Sequence, residues 1–273
     1  MNRSNKVTIR AELFKSSIVL SFAILVIFGI LFSAILYYSG NSNAHAVIRQ
    51  RNRAVNYFIE GYFTKIHNAV EFLATNKKIQ NAPYLSPDGL DEILSLYKSL
   101  EIADQDINYI YSGYKNGFLL INDYIPPEGF DPVVRPWYLA ATESNPNISD
   151  GLPYQEVKTK EWLVSLSKVL IDDEDEISGV ISIDCSIDTV EKLLREPDEK
   201  YKSFRSFVVK TDGKIIIHGE ESFLGRTVSD VFDSSVKFDK EVGKFSYKLD
   251  SLDKLAYYSR IDQIGWIIVT VVD

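Results

Sequence analysis

Residues 17–38 run through 22 positions without a charged side chain. A helix rises about 1.5 Å per residue, so this stretch covers the roughly 30 Å hydrocarbon core of a bilayer. It reads as a transmembrane helix, and its flanks set its direction. Arg3, Lys6, Arg10 and Lys15 against Glu12 give residues 1–16 a charge of +3, leaving -11 for the rest of a chain whose total is -8. Basic residues favour the cytoplasmic side, and Tyr37 and Tyr38 close the far end, where aromatic rings favour the interface. Residues 1–16 are expected to form a cytoplasmic tail, with everything beyond about residue 40 outside. Ala44-His45-Ala46 fits the small-x-small pattern of signal peptidase. A cleavable signal, however, has an apolar run of about 7–15 residues. This run is longer and ends well before those alanines, so an uncleaved anchor is the reading.

The remaining sequence is long enough for one large domain or two modest ones. Its single cysteine, Cys185, excludes an internal disulfide framework, and the scattered His45, His67 and His218 form no zinc pattern, so no metal or cofactor is expected. A nucleic-acid surface needs clustered Lys and Arg, which an acidic chain does not supply. There is no Ser-His-Asp or Cys-His pair at a defensible spacing and no glycine-rich phosphate loop. Enzymatic activity is not expected, although Glu156 and Asp184 are two carboxylates that one cavity could hold. Cys185 reads as a packed small hydrophobe and His218 as a surface or turn residue.

Beyond the membrane segment, Val55, Ile59, Tyr62, Ile66, Val70 and Leu73 recur at three- and four-residue spacing, with no proline before Pro83. This predicts one amphipathic helix over Val47–Ile79, roughly 50 Å long, within a stalk spanning residues 40–80. A second helix is expected near Asp88–Ala103. The period then changes to two. Ile107–Tyr114 and Phe118–Tyr124 flank Lys115-Asn116-Gly117, a hairpin turn. Strands Trp162–Ile171 and Gly179–Ile187 are joined by Asp172–Glu176, an acidic loop without the glycine and distal glutamate of an EF-hand. A helix at Asp188–Arg195 leads to Glu196-Pro197-Asp198. Strands follow at Phe204–Lys210, Lys214–His218, Lys244–Leu249, Leu255–Ile261 and Trp266–Val272. The fold class is therefore α+β: one transmembrane helix, then a long helix shared by two antiparallel-sheet modules, residues 81–195 and 196–273.

Gly129-Phe130-Asp131-Pro132-Val133-Val134-Arg135-Pro136-Trp137-Tyr138 resembles the double-Cache (tandem PAS-like) sensor domains of bacterial chemoreceptors, sensor kinases and diguanylate cyclases. The resemblance extends over roughly residues 45–273. Val180-Ile181-Ser182-Ile183-Asp184 looks like the family's Gly-x-x-Gly-x-Asp strand with Ser182 in place of the second glycine. Val208-Val209-Lys210-Thr211-Asp212-Gly213-Lys214-Ile215 and Gly265-Trp266 look like its membrane-proximal module. The resemblance implies a sensor in the periplasm or outside the cell, anchored in the bacterial inner membrane. It further implies a homodimer and a ligand in the membrane-distal module, 81–195.

The residues around Arg135 fit that placement. A residue before proline is biased away from α conformation, and Pro136 suits the first position of a helix running to about Thr142. Arg135 then offers a bidentate fork beside free N–H groups, with Trp137 and Tyr138 as walls. The bare pattern equally fits a buried aromatic turn with a structural ion pair, and the resemblance favours the pocket. Strand alternation puts Ile181, Ile183, Cys185 and Ile187 on the buried face and Asp184 on the other. In family members that bind amino acids an aspartate there pairs with the ligand ammonium, and Tyr154 resembles a pocket tyrosine. Phe130 stands where many of those binders have tyrosine, and Glu156 where an aspartate often occurs, a longer acid that suits an amine. Tyr109 and Tyr111 share a strand face, of which one reaches the pocket.

The expected function is the ligand-sensing region of a transmembrane receptor for an amino acid or related amine. The alternative is an anchored or secreted binding protein that acts as co-receptor for a separate signalling protein. The chain stops at Val271-Val272-Asp273, where the last strand of such a domain ends, so either it belongs to a longer receptor or it acts through a partner. A cysteine introduced as Asp173→Cys in the acidic loop tests the topology. A membrane-impermeant thiol reagent should label it in intact cells; labelling only after the inner membrane is breached would overturn the orientation.

Overall fold

A computed structural model describes residues 3–151, 153–156, 159–195, 204–232, 236–249 and 252–272. The chain divides into two compact units, residues 1–49 and 50–273. Helix α1 (Arg3–Ala74) begins in the first and ends in the second. Within the first unit every side chain from Glu12 to Gly40 is exposed, and among the described residues this is the one helix long and apolar enough to cross a membrane. So continuous an apolar surface is stable in lipid rather than water.

The second unit is built on the remainder of α1. Val55, Ile59, Phe63, Ile66, Val70 and Leu73 are at most 1% exposed. Each buried aliphatic side chain stabilises by about 1.5–3 kcal/mol relative to exposure, and here they meet the inner faces of two antiparallel sheets in one cluster. After α1 come α2 (Lys77–Gln80), α3 (Pro87–Ala103), β1 (Ile107–Tyr114), β2 (Leu119–Ile121) and α4 (Pro136–Ser144). The first sheet is completed by β3 (Ser149–Asp150), β4 (Tyr154–Gln155), β5 (Trp162–Ile171) and β6 (Ile177–Ser186). Its order is β2-β1-β6-β5-β3, with β4 also pairing β5. Helix α5 (Asp188–Arg195) precedes the second sheet, β7 (Phe204–Lys210), β8 (Ile215–Ile217), β9 (Val242–Leu249), β10 (Leu252–Ile261) and β11 (Trp266–Val272), with α6 (Val228–Phe232) packed on it. Its order is β8-β7-β11-β10-β9. The expected Glu196-Pro197-Asp198 junction lies outside the described residues.

The central strand of each sheet shows how alternation becomes layering. On β6, Ile181, Ile183 and Cys185 face α1, while Val180 packs under α4. On β11, Trp266 and Ile268 face α1, whereas Ile267, Val269 and Val271 join a separate aromatic core with Phe207 and Phe232. Both faces of β11 are buried, which is why it reads as an almost unbroken apolar run.

Two expectations are corrected and a third is qualified. The helix predicted to reach Ile79 ends at Ala74, because the Asn76 side chain accepts hydrogen bonds from the N–H groups of Lys78 and Ile79 and starts α2 instead. Asparagine competes with helix-interior bonding and favours this capping position. Strand β2 stops at Ile121, since Asn122 donates to the Leu94 carbonyl and Asp123 turns the chain at a φ of 54°. His218 does occupy a turn, accepting from the Glu220 N–H at 2.9 Å. Its ring nevertheless packs on Phe207 and Phe223, and burial lowers its pKa.

Polar contacts fix α1 against the second sheet as well. Asn52, 3% exposed, donates through Nδ2 to the Ile268 carbonyl at 2.9 Å and to Thr270 Oγ1 at 3.1 Å. A buried polar group stripped of its partner costs about 1–3 kcal/mol. Asn52→Leu should therefore destabilise the chain by roughly that amount in urea denaturation, while Asn68→Leu on the exposed face of α1 stays within about 0.5 kcal/mol of wild type. Equal stability of the two variants would show that the amide plays no part in holding the sheet.

Candidate functional site

The outer face of the first sheet carries the site. Register places Tyr109, Asp184 and Ser165 side by side on β1, β6 and β5, and Tyr111, Ser182 and Ser167 in the next row. Paired residues of an antiparallel sheet point the same way, so a polar stripe crosses this face. Above it opens a cavity of about 810 Å³. Tyr109, Tyr111, Phe130, Trp137, Tyr154, Glu156 and Asp184, all expected from sequence, line it.

Asp184 lies at its floor, 5% exposed. Its Oδ1 accepts from the hydroxyls of Tyr111 at 2.9 Å and Ser165 at 2.6 Å, and its Oδ2 from Tyr154 at 2.7 Å. These partners are neutral, and among the described residues no cation pairs with this carboxylate. Burial raises its pKa, and the three hydroxyl hydrogen bonds oppose that rise without cancelling it. Tyr111 and Tyr154 are themselves pushed up, first by burial and then by the Asp184 charge, so both remain hydroxyl donors.

Helix α4 forms the opposite wall. Arg135 caps it in extended conformation (φ -79°, ψ 145°) and Pro136 takes the first helical position, as the Arg-Pro pair predicts. Successive helical residues turn by about 100°, which sorts the motif. Pro136, Ala140 and Glu143 share the cavity-facing side, and Trp137 reaches it from one flank, its ring edge-on to Tyr111 at 5.0 Å. Gly113 makes room, since a Cβ there would sit 2.7 Å from the tryptophan ring and 2.6 Å from Pro132. Tyr138 falls under the helix, buried with Ala141, Val169 and Val180, its hydroxyl without a partner among the described residues. It does not line the cavity. Arg135 is also set back, its guanidinium over the Phe130 ring at 4.2 Å and its buried Nε without an acceptor among the described residues. Of the residues expected in the pocket, these two stand behind its wall.

Ser165, Glu143 and Lys210 line the cavity but were not expected from the sequence. Ser165 is legible only once β5 is registered against β6. Glu143 follows from extending the helical period two turns past Pro136. Lys210 comes from the second sheet, which no local pattern connects to this pocket.

A family model described as Cache domain matches residues 39–273. Methyl-accepting chemotaxis protein McpC of Bacillus subtilis (strain 168) is 26% identical over 147 residues, 54% of this chain and 21% of that protein. Methyl-accepting chemotaxis protein PctB of Pseudomonas aeruginosa is 30% identical over 106 residues, 39% of this chain and 16% of that protein. The chain thus spans about a fifth of the length of these relatives, 21% and 16% respectively. In structure it is similar to the ligand-binding domain of the P. aeruginosa PAO1 amino-acid chemoreceptor PctC in complex with GABA. There the TM-score is 0.67 at 18% identity, covering 81% of this chain and 96% of that one. The ligand-binding domain of the Pseudomonas fluorescens chemoreceptor CtaA in complex with L-serine gives a TM-score of 0.67 at 21% identity, covering 85% and 98%. At such identities the structural likeness is one of fold. With two antiparallel sheets on one helix and a family match from residue 39 to the end, the chain belongs to the double-Cache family.

Proposed function

We propose that the chain is the extracytoplasmic sensing region of a transmembrane receptor and that its first module, membrane-distal in the receptor, binds an amino acid or related amine. One observation carries this reading: Asp184 is a buried carboxylate, facing an open cavity, whose only partners among the described residues are hydroxyls. An ionised carboxylate out of water is costly unless a cation joins it. A ligand ammonium supplies that cation and has hydrogens for both Asp184 oxygens. At the other end, the Nε of Arg135, without a partner among the described residues, and the first turn of α4 suit a carboxylate. The Phe130 ring over the guanidinium then acts as a door that such a carboxylate displaces. The complexes of PctC with GABA and of CtaA with L-serine are of matching chemistry.

The same site links occupancy to conformation. Tyr154 reaches Asp184 from β4, a two-residue strand that pairs with β5 through Tyr154↔Leu163 and Gln155↔Trp162. A ligand that takes over hydrogen bonds of Asp184 changes what holds β4 in place. In the receptor, acting as a homodimer in the cell membrane, such a shift is the start of a signal.

A thermal-shift screen of the chain against amino acids, amines, organic acids and purines should find a stabilising ligand, with about 2.7 kcal/mol gained at a hundredfold excess over Kd. Losing one member of a buried charged contact costs about 2–5 kcal/mol, so Asp184→Asn should weaken binding of that ligand at least tenfold while the domain stays folded. Arg135→Ala should do the same for a ligand with a carboxylate and leave a simple amine unaffected. Wild-type affinity in both variants would place the binding site elsewhere.

A further inference from the structure

We propose that Glu143 makes the cavity selective for α-amino acids whose side chain carries a second positive charge. The inference rests on the reading that Asp184 holds the ligand ammonium, and it concerns what the rest of the cavity reads. At about 810 Å³ the space lies toward the upper end of the roughly 300–1,000 Å³ typical of ligand pockets. Alanine or serine would leave most of it empty.

Its lining is acidic, with Asp123, Glu143, Glu156 and Asp184 against Lys210. Three of these carboxylates are already engaged. Asp123 pairs with Lys98 at 3.1 Å, Glu156 accepts from the Thr159 N–H in its own loop, and Asp184 accepts from its three hydroxyls. The side chain of Glu143, an exposed residue, makes no hydrogen bond or ion pair among the described residues. Its place on α4 is the second reason. Pro136, Ala140 and Glu143 lie on one helix face, with Glu143 seven residues, roughly 10 Å, beyond the helix start. The positive end of the helix dipole, beside Arg135, suits the ligand's carboxylate; the negative end adds to the field of Glu143. A ligand lying along this face presents opposite charges to opposite ends. Ala140, Leu119 and Ile121 offer apolar surface to the methylene stem between them.

Calorimetry on the full chain with L-lysine and with L-norleucine, which lacks only the side-chain amine, separates this inference from its premise. Lysine should bind about fivefold tighter or better, near the upper end of what a partly solvated ion pair supplies. Glu143→Gln should abolish the preference by weakening lysine while leaving norleucine unchanged. Equal affinities in wild type, or a preference that survives in Glu143→Gln, overturns the role of Glu143 and leaves the amino-acid reading standing. If neither amino acid binds the wild type, and the ligand found by screening binds Asp184→Asn as well as wild type, the premise fails and the inference with it.

Discussion

Both sheets of the folded unit bury their inner faces against one surface, the apolar stripe of α1 from Val55 to Leu73. Because that stripe takes one side of each sheet, the opposite sides are free for different uses. In the second sheet the far side is closed by its own aromatic core of Phe207, Phe232, Phe238, Tyr247 and Tyr258. In the first sheet α4 covers only one end, packing Tyr138 and Ala141 on Val169 and Val180, and the remainder stays open as a polar face. The site is thus the part of a sheet surface that the core does not need.

How far the sequence foretold this depends on the range of the interaction involved. The exposed apolar helix, the Asn116-Gly117 turn, the helix start at Pro136 and the outward face of Asp184 are local consequences of charge, backbone preference and strand alternation, and they stand in the structure. The break at Thr75–Asn76 is local too, but the apolar period running through it masked a capping side chain. Arg135 and Tyr138 illustrate a different limit. A motif names residues near a pocket, whereas the helical turn of 100° per residue decides which of them enter it. Ser165 and Lys210 required knowledge of which strand lies beside which.

Asp184 is the point where stability and function pull apart. An apolar residue there would spare the desolvation that now raises its pKa, and the hydroxyls of Tyr111, Tyr154 and Ser165 only partly offset that cost. Buried ionisable groups with shifted pKa values in a cleft cluster at functional sites. Under the proposed reading, a ligand cation at Asp184 also favours its ionised form, so binding and protonation compete. Affinity is then fully present above the raised pKa of the free carboxylate and is lost as pH falls through it.

Proton exchange on ligand binding, measured by calorimetry in two buffers of different ionisation enthalpy, tests this pairing most directly. An ammonium seated on Asp184 expels a proton from the protein. That release should be negligible well above the raised pKa of the free carboxylate, grow as the pH falls toward it, and vanish in Asp184→Asn. Binding with no proton release at any of these pH values, or with the same release in Asp184→Asn, would contradict the assignment of Asp184 as the ligand's counter-charge.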